Sequence, residues 1–439
     1  MKRRNIVKDL SVPLRIGTII VAGNNLRYHL KQVFYCLIAA LLMLSQSAFA
    51  QATTYTLVIK NGHVIDPRNN INGILDVAVN DGKIASIAKN IDARGAKQVI
   101  DAKGLYVVPG LIDLHTHLFA GPKESAVLPD GFTLRSGVTT AVDAGSPGWR
   151  NFAEYKKTVI DKSKTRVLTF LNIVGGGMMG GAMEQNLADM DARATADAAK
   201  KNKDFVVGVK VAHFSGRNWA PVDRAVSAGT EADIPVMIDF GSANPTLSIE
   251  ELFFNHLRPG DIFTHCFTEL PGRESIVDSK AGKLKPFMAN AKKRGIFFDV
   301  GYGGISFAYS QAIPALKSGF YPDAISTDLH KTSMNGSMKD MLSVMSKFLA
   351  LGMDLNAVIK ASASNPALII KREDLGNLSV GSGADIALLN LREGNFGMFD
   401  YTGYKMMANK KLECEMTVKD GKIVYDLNGL AHSVSISTK

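Results

Sequence analysis

The 439-residue chain has 46% hydrophobic and 21% charged residues, the balance of a globular protein, which excludes general disorder. Its formal charge of +10 comes largely from the first 50 residues, which hold seven of the 51 Lys and Arg residues and one of the 41 Asp and Glu residues. The remaining charge of +4 is scattered and forms no basic stripe, so nucleic acid is not an expected partner.

The first recognisable pattern is a targeting signal. An apolar run at 34–45 follows basic residues and precedes Ala-Phe-Ala at 48–50, the arrangement of a secretory signal peptide. We therefore predict that residues 1–50 are a signal peptide and that the mature protein is exported to the periplasm. The alternative, an uncleaved membrane anchor, is disfavoured because the run is shorter than the roughly 20 apolar residues of a spanning helix. Stable membrane insertion is not expected after cleavage.

Two cysteines remain after residue 50, Cys266 and Cys414. They are too few for a disulfide framework, and we expect both to be small buried apolar residues. Because Cys266 adjoins His265, a cysteine nucleophile is a less favoured alternative.

The two ends of the mature chain have similar sequence patterns. Residues 51–108 alternate short β-rich runs with turns, and Asp-Gly at 81–82 predicts a hairpin. The phrase AVNDGKIAS at 78–86 is echoed by TVKDGKIVY at 417–425. We therefore expect residues 51–108 and 375–439 to build one small β-sandwich domain between them.

The intervening residues, 109–374, contain eight short apolar runs, most of them followed by a helical pattern. The runs are LIDLHTHL, TTAVDAG, VLTFLNIVG, VVGVKVAH, IPVMIDFG, DIFTHCF, IFFDVGYG and AISTDLH. Eight βα units in about 250 residues are what a (β/α)₈ TIM-like barrel requires. A doubly wound open sheet is the alternative, but it gives no reason for polar residues at so many strand ends.

Chemistry in a parallel barrel is placed at the carboxyl ends of the strands. Ligand-type side chains at those ends are His115, His117, Lys210, Asp239, His265 and Asp328. His115 and His117 are two residues apart in an extended strand, so their side chains point to the same side and can share one metal ion. Taken alone, a histidine pair on a strand is as often a structural feature.

Around these residues the chain resembles the amidohydrolase superfamily, and within it the dihydroorotase-like group of amidohydrolase/deacetylase metallohydrolases. The resemblance extends from about residue 55 to about residue 429. Its most specific segments are VVPGLIDLHTH at 107–117, VVGVKVA at 206–212, DIFTHCF at 261–267 and GGISFAYSQAIPALKSGFYPDAISTDLH at 303–330.

The resemblance implies a pair of divalent metal ions, zinc or else manganese. It places His115 and His117 on the first ion and His265 on the second. It makes Lys210 a carboxylated lysine that bridges both ions, since a carbamate offers two oxygens where an amine offers none. Asp328 would bind the first ion and act as the catalytic acid and base.

Two positions depart from the family pattern. Where relatives carry a histidine on strand five, this chain has Asp239 in VMIDFG. A carboxylate can replace an imidazole on zinc or manganese but adds negative charge, so Asp239 is either a ligand of the second ion or an outer partner. Tyr302 in DVGYGG stands where relatives often carry a histidine, and is either a hydrogen-bond donor to a substrate acyl oxygen or a core phenol.

Other candidates concern the substrate. His330 follows Asp328 by two residues and could bind the substrate, while His213, beyond Lys210, is a weaker candidate to line the site. Gly176 lies in a glycine cluster that lacks the Gly-Lys-Ser/Thr ending of a phosphate loop. We predict that it lets backbone amides approach the substrate.

The function implied by the resemblance is hydrolysis of an amide or ester bond in a small molecule by water activated at the metal ions. The substrate classes are N-acyl amino acids, O-acetyl hydroxy acids and cyclic amides. One alternative is a non-catalytic relative that keeps the barrel for binding, and another is a lyase or isomerase on the same scaffold. A homo-oligomer is compatible with the sequence.

Overall fold

The computed structural model describes residues 31–35, 55–119, 126–239, 243 and 245–433. Residues 31–35 are helical, and the described residues from 55 onward belong to one compact unit. Most of the predicted signal peptide, including its cleavage motif, lies outside the described residues. Among the residues that are described, no helix is both long enough and apolar enough to cross a membrane.

The strands are, in chain order, β1 (Leu57–Asp66), β2 (Ile71–Asn80), β3 (Lys83–Ala88), β4 (Val99–Asp101), β5 (Tyr106–Pro109), β6 (Leu111–Thr116), β7 (Val138–Gly148), β8 (Arg166–Asn172), β9 (Val206–Ala212), β10 (Val236–Asp239), β11 (Ile262–Phe263), β12 (Val277–Asp278), β13 (Lys283–Leu284), β14 (Phe297–Phe298), β15 (Ile386–Phe399), β16 (Lys405–Lys419) and β17 (Lys422–Asp426). The α-helices are α1 (Phe152–Thr158), α2 (Ala192–Lys201), α3 (Ala220–Ala232), α4 (Ile249–Glu251, continued by the π-helix Leu252–His256), α5 (Met288–Lys293), α6 (Tyr309–Lys317), α7 (Met341–Ala350), α8 (Leu355–Ser362) and α9 (Ser364–Ile369).

Seven parallel strands form the central sheet, in the order β14-β11-β10-β9-β8-β7-β6. Residues 324–329 occupy an eighth position, because Ala324 pairs with Asp299 beyond β14 and Leu329 pairs with Thr116 of β6, both in parallel. These bridges connect the two edges of the curled sheet, in the arrangement of a (β/α)₈ barrel. Every residue of β9 is buried, as expected for a parallel strand covered on both faces. Seven of the eight predicted strands are therefore found in their predicted order, and the eighth run contributes two isolated bridges in place of a strand.

Aspartate side chains cap several helices that pack around this barrel. Asp191 accepts a hydrogen bond from the backbone N–H of Ala194 at the start of α2, and Asp340 accepts one from Ser343 at the start of α7. Each cap satisfies an otherwise unpaired N–H group and stabilises its helix by about 1 kcal/mol. Local sequence thus fixes where these helices begin.

The two ends of the described chain meet in a second sheet of eight strands. Its order is β17-β16-β15-β5-β1-β2-β3, with β4 paired to β1. The ends join where β15 runs antiparallel to β5, with Ile386 opposite Pro109. The predicted Asp-Gly hairpins also meet through Ala384, which donates to Gly82 O (2.8 Å) and accepts from Gly421 N (2.9 Å). Strand pairing shows one continuous sheet, so the predicted two-layer sandwich and its boundaries at 108 and 374 stay predictions.

Candidate metal centre

A cavity of about 480 Å³ lies at the carboxyl ends of the barrel strands. Four of the six predicted ligands line it: His117, Asp239, His265 and Asp328. The other two, His115 and Lys210, are fully buried. The barrel therefore gathers all six predicted ligands, from five strand ends, around one space.

In one half of the site, Asp328 lies close to both His115 and His117. Its Oδ1 atom lies 2.9 Å from His117 Nε2 and 3.6 Å from His115 Nε2. Lys210 Nζ is 3.2 Å from the same His115 nitrogen. The ligand atoms of His115, His265 and Asp328 all lie within 4.8 Å of one another, which is close enough to surround a metal ion.

Hydrogen bonds hold the histidine rings by their Nδ1 atoms. Thr264 donates its hydroxyl proton to Asp299 Oδ2 (2.6 Å), so it accepts from His115 Nδ1 at 2.9 Å. His265 Nδ1 donates to Gly301 O at 2.6 Å. His117 Nδ1 lies 3.2 Å from Ser146 Oγ. Contacts at Nδ1 leave Nε2 facing the other predicted ligands, the usual arrangement of metal-binding histidines.

The surroundings set the charge of each group. Burial, followed by the nearby charge of Lys210, lowers the pKa of His115 to about 3, so its ring is neutral. Burial also lowers the pKa of Lys210, which favours the neutral amine that can react with CO₂. Although burial opposes ionisation of Asp328, His115, His117 and His330 hold the pKa of its carboxyl well below the usual range. The site therefore offers a neutral imidazole and an ionised carboxylate, as metal binding requires.

Asp239 also belongs to the site. Its Oδ1 atom forms an ion pair with Arg273 Nη1 at 2.6 Å. Its Oδ2 atom lies 3.3 Å from His265 Nε2 and 3.5 Å from His213 Nε2. Arg273 was not predicted as a site residue, because it lies in the loop between β11 and β12, outside the DIFTHCF segment.

Three residues at these strand ends have a strained backbone. His213 (φ 54°), His265 (φ 54°) and Asp328 (φ 50°) all have left-handed conformations, which cost about 1–3 kcal/mol each and often mark functional positions. Packing around the cavity holds these three side chains in positions that an extended strand would not give them.

We expect Gly301→Ala to displace two of the histidines. A Cβ atom at Gly301, where φ is +47°, would lie 2.4 Å from Thr264 Oγ1, 2.8 Å from His265 Nδ1 and 3.0 Å from His115 Nδ1. Metal affinity should fall by about 10- to 100-fold, as when an orienting partner is removed, and zinc titration would measure it. Gly319→Ala is the matched control, since Gly319 also has positive φ (+78°) but nothing within 4 Å. Equal zinc affinity in both variants would contradict the prediction.

Of the residues predicted to contact the substrate, only some line the cavity. His330 lines it, with Nδ1 2.7 Å from Asp328 O. Tyr302 does not, since its ring stacks on Phe307 at 4.5 Å and its hydroxyl accepts from Lys347 Nζ at 2.9 Å. The core-phenol alternative therefore describes the position of Tyr302.

Gly176 and Cys266 are likewise placed outside the cavity lining. The N–H of Gly176 donates to Asp189 (3.4 Å) and its carbonyl accepts from Asn151 (2.9 Å), so the protein itself uses the backbone groups that were expected to meet the substrate. Cys266 is buried, and burial raises the pKa of its thiol well above the usual value. The thiolate that a cysteine nucleophile needs is therefore disfavoured.

The chain is similar to known proteins over most of its length. Residues 98–154 and 309–424 each match a sequence model of the amidohydrolase family. A deacetylase of Brucella anthropi is 33% identical over 340 residues, 76% of this chain and 83% of the relative. A deacetylase of Enterococcus faecalis is 30% identical over 380 residues, 85% of this chain and 99% of the relative.

Solved structures give the same result. A crystal structure of an adenine deaminase superposes with a TM-score of 0.78 and 30% identity, covering 85% of this chain and 100% of the other. A dihydroorotase structure has a TM-score of 0.75 and 28% identity, with 84% and 99% covered. The chain therefore belongs to the amidohydrolase superfamily and is an amidohydrolase-type enzyme that hydrolyses carbon–nitrogen bonds.

Proposed function

We propose that the protein is a metal-dependent hydrolase that removes an acyl group from a small substrate. The observation that carries this proposal is the convergence of His115, His117, His265 and Asp328 at the barrel cavity, with ligand atoms close enough to share metal ions. N-acyl amino acids are the first substrate class, because the similar relatives are named deacetylases. Cyclic amides and O-acetyl hydroxy acids are the other classes.

The residues of the site fit divalent metal ions, which members of this superfamily use. His115, His117 and Asp328 would hold one ion, and His265 with Asp239 would hold a second. Lys210, as its carbamate, would contribute an oxygen to each. Nitrogen and carboxylate ligands suit zinc, with manganese as the alternative. When bound, such ions lower the pKa of water and polarise a substrate carbonyl.

Asp328 is the proton carrier in this proposal. Its carboxylate is ionised and faces the cavity, so it can take a proton from the attacking water as the water oxygen bonds to the carbonyl carbon. As the carbon–nitrogen bond breaks, Asp328 returns that proton to the leaving nitrogen. His330 Nδ1 donates to the backbone carbonyl of Asp328, and the ring lines the cavity, so we place His330 beside the bound substrate.

The dimensions of the cavity support a small substrate. Its volume of about 480 Å³ is within the range of about 300–1,000 Å³ that is usual for small-molecule sites. Apolar side chains such as Phe119, Met178 and Leu270 share the lining with the polar groups. This mixture suits an acyl chain attached to a polar head.

Removal of metal is the direct test of this function. We expect protein treated with a chelator to lose at least about 99% of its activity, and added Zn²⁺ or Mn²⁺ to restore it. The measurement is a screen of N-acetyl, N-formyl and O-acetyl acids with the metal-reconstituted protein. Full activity without metal would refute metal dependence, and inactivity of the metallated protein across all classes would refute the substrate assignment.

We also propose that the protein is exported to the periplasm, since its first 50 residues have the pattern of a signal peptide. Fractionation of cells that express the full chain, followed by N-terminal sequencing, tests this. A mature protein that begins near residue 51 supports export, and an intact N-terminus in the cytoplasmic fraction contradicts it.

A further inference from the structure

His213 lies beside the histidines that we propose as metal ligands. It lies directly after β9 and lines the cavity. Its Nδ1 atom is 3.0 Å from Glu184 Oε2, so Glu184 holds the ring by that nitrogen and Nε2 faces Asp239. His265 is held in the same way, since its Nδ1 donates to Gly301 O and its Nε2 faces Asp239.

Two imidazole nitrogens meet at one carboxylate oxygen. Asp239 Oδ2 is 3.3 Å from His265 Nε2 and 3.5 Å from His213 Nε2. Imidazole nitrogen and carboxylate oxygen are donor atoms that suit zinc and manganese. Ligand atoms that each lie about 2.0–2.2 Å from a tetrahedral zinc ion are separated by about 3.3–3.6 Å, so the observed separations suit a shared ion.

Charge balance points the same way. Arg273 compensates the negative charge of Asp239, because its guanidinium pairs with Asp239 Oδ1 at 2.6 Å and leaves only Oδ2 facing the histidines. His213 approaches Asp239 from the neighbouring strand, since β9 pairs with β10 and His213 follows β9.

We propose that His213 is a ligand of the second divalent ion, together with Asp239 and His265, and that Glu184 orients it. This inference rests on the proposed metal-dependent function. The left-handed backbone of His213, shared with His265 and Asp328, turns its ring towards the cavity at the point where the strand ends.

The test is zinc stoichiometry and affinity, measured by elemental analysis and by competition with a chromophoric chelator. We expect the native protein to bind two zinc ions per chain. His213→Ala should bind one ion tightly, with the dissociation constant of the second raised at least about 100-fold. His256→Ala is the matched control, because His256 is also held by a carboxylate, with Nδ1 2.7 Å from Asp223, but does not line the cavity. It should bind two ions.

A zinc-edge anomalous map of the native crystal provides a second measurement that does not depend on a variant. We expect a peak about 2.0–2.1 Å from His213 Nε2. Two tightly bound ions in a folded His213→Ala variant, or a second peak out of reach of His213, would overturn the inference and leave the metal-dependent function intact. A native protein that binds no zinc would overturn both.

Discussion

Asp328→Asn is expected to lower kcat/KM by at least about 10³-fold. An amide cannot accept the proton of the attacking water, and general acid–base catalysis contributes about 10²–10⁴-fold. The same change removes the anion that lies 2.9 Å from His117, so metal binding should weaken as well. Steady-state kinetics on the best acylated substrate, together with zinc content, provide the measurement.

Two comparisons separate the roles of Asp328. Asp223→Asn is the control, because Asp223 is exposed and contacts His256 outside the cavity, and it should keep native activity. At saturating zinc, the Asp328→Asn variant should regain ions without regaining kcat, since proton transfer is still missing. Recovery of more than about a tenth of kcat under those conditions would show that another group carries the proton.

Lys210→Met is expected to cost at least about 100-fold in activity and in affinity for the second ion. The side chain of Lys210 is completely buried, and Gly145 leaves no room beside it, since a Cβ there would lie 2.7 Å from Lys210 Cβ and Cγ. Methionine is similar in size to lysine but cannot form a carbamate, so the loss would report on the missing ligand. Addition of a short carboxylic acid should restore part of the activity.

The carbamate itself can be observed. Native protein prepared with ¹³C-bicarbonate should show a carbamate carbon signal that is absent from Lys210→Met, and a crystal should show density for CO₂ on Nζ. An unmodified Lys210 in a fully metallated crystal would contradict the bridging role and would assign the lysine to charge balance around Asp328.

Much of the fold could be predicted because its determinants are local. Eight apolar runs separated by helical segments predict parallel strands without any knowledge of the contacts between them. Capping residues such as Asp191 mark where helices begin. The repeated Asp-Gly turn at 81–82 and 420–421 indicated that the two ends are related. Their pairing through β5 and β15 is a contact between segments far apart in sequence, and only the folded chain shows it as one continuous sheet.

In the candidate site, too, some features follow from the sequence and others only from the tertiary structure. The sequence by itself determined which strand ends carry ligand-type side chains and that His115 and His117 share a side, because side-chain direction alternates along a strand. Only the tertiary structure decided what surrounds Asp239. Its partners Arg273 and His213 come from other segments, and their approach depends on side-chain packing and on a left-handed backbone turn that no local pattern encodes. For the same reason Tyr302, at a strand end like the others, turned out to lie against Phe307 and Lys347 in the core.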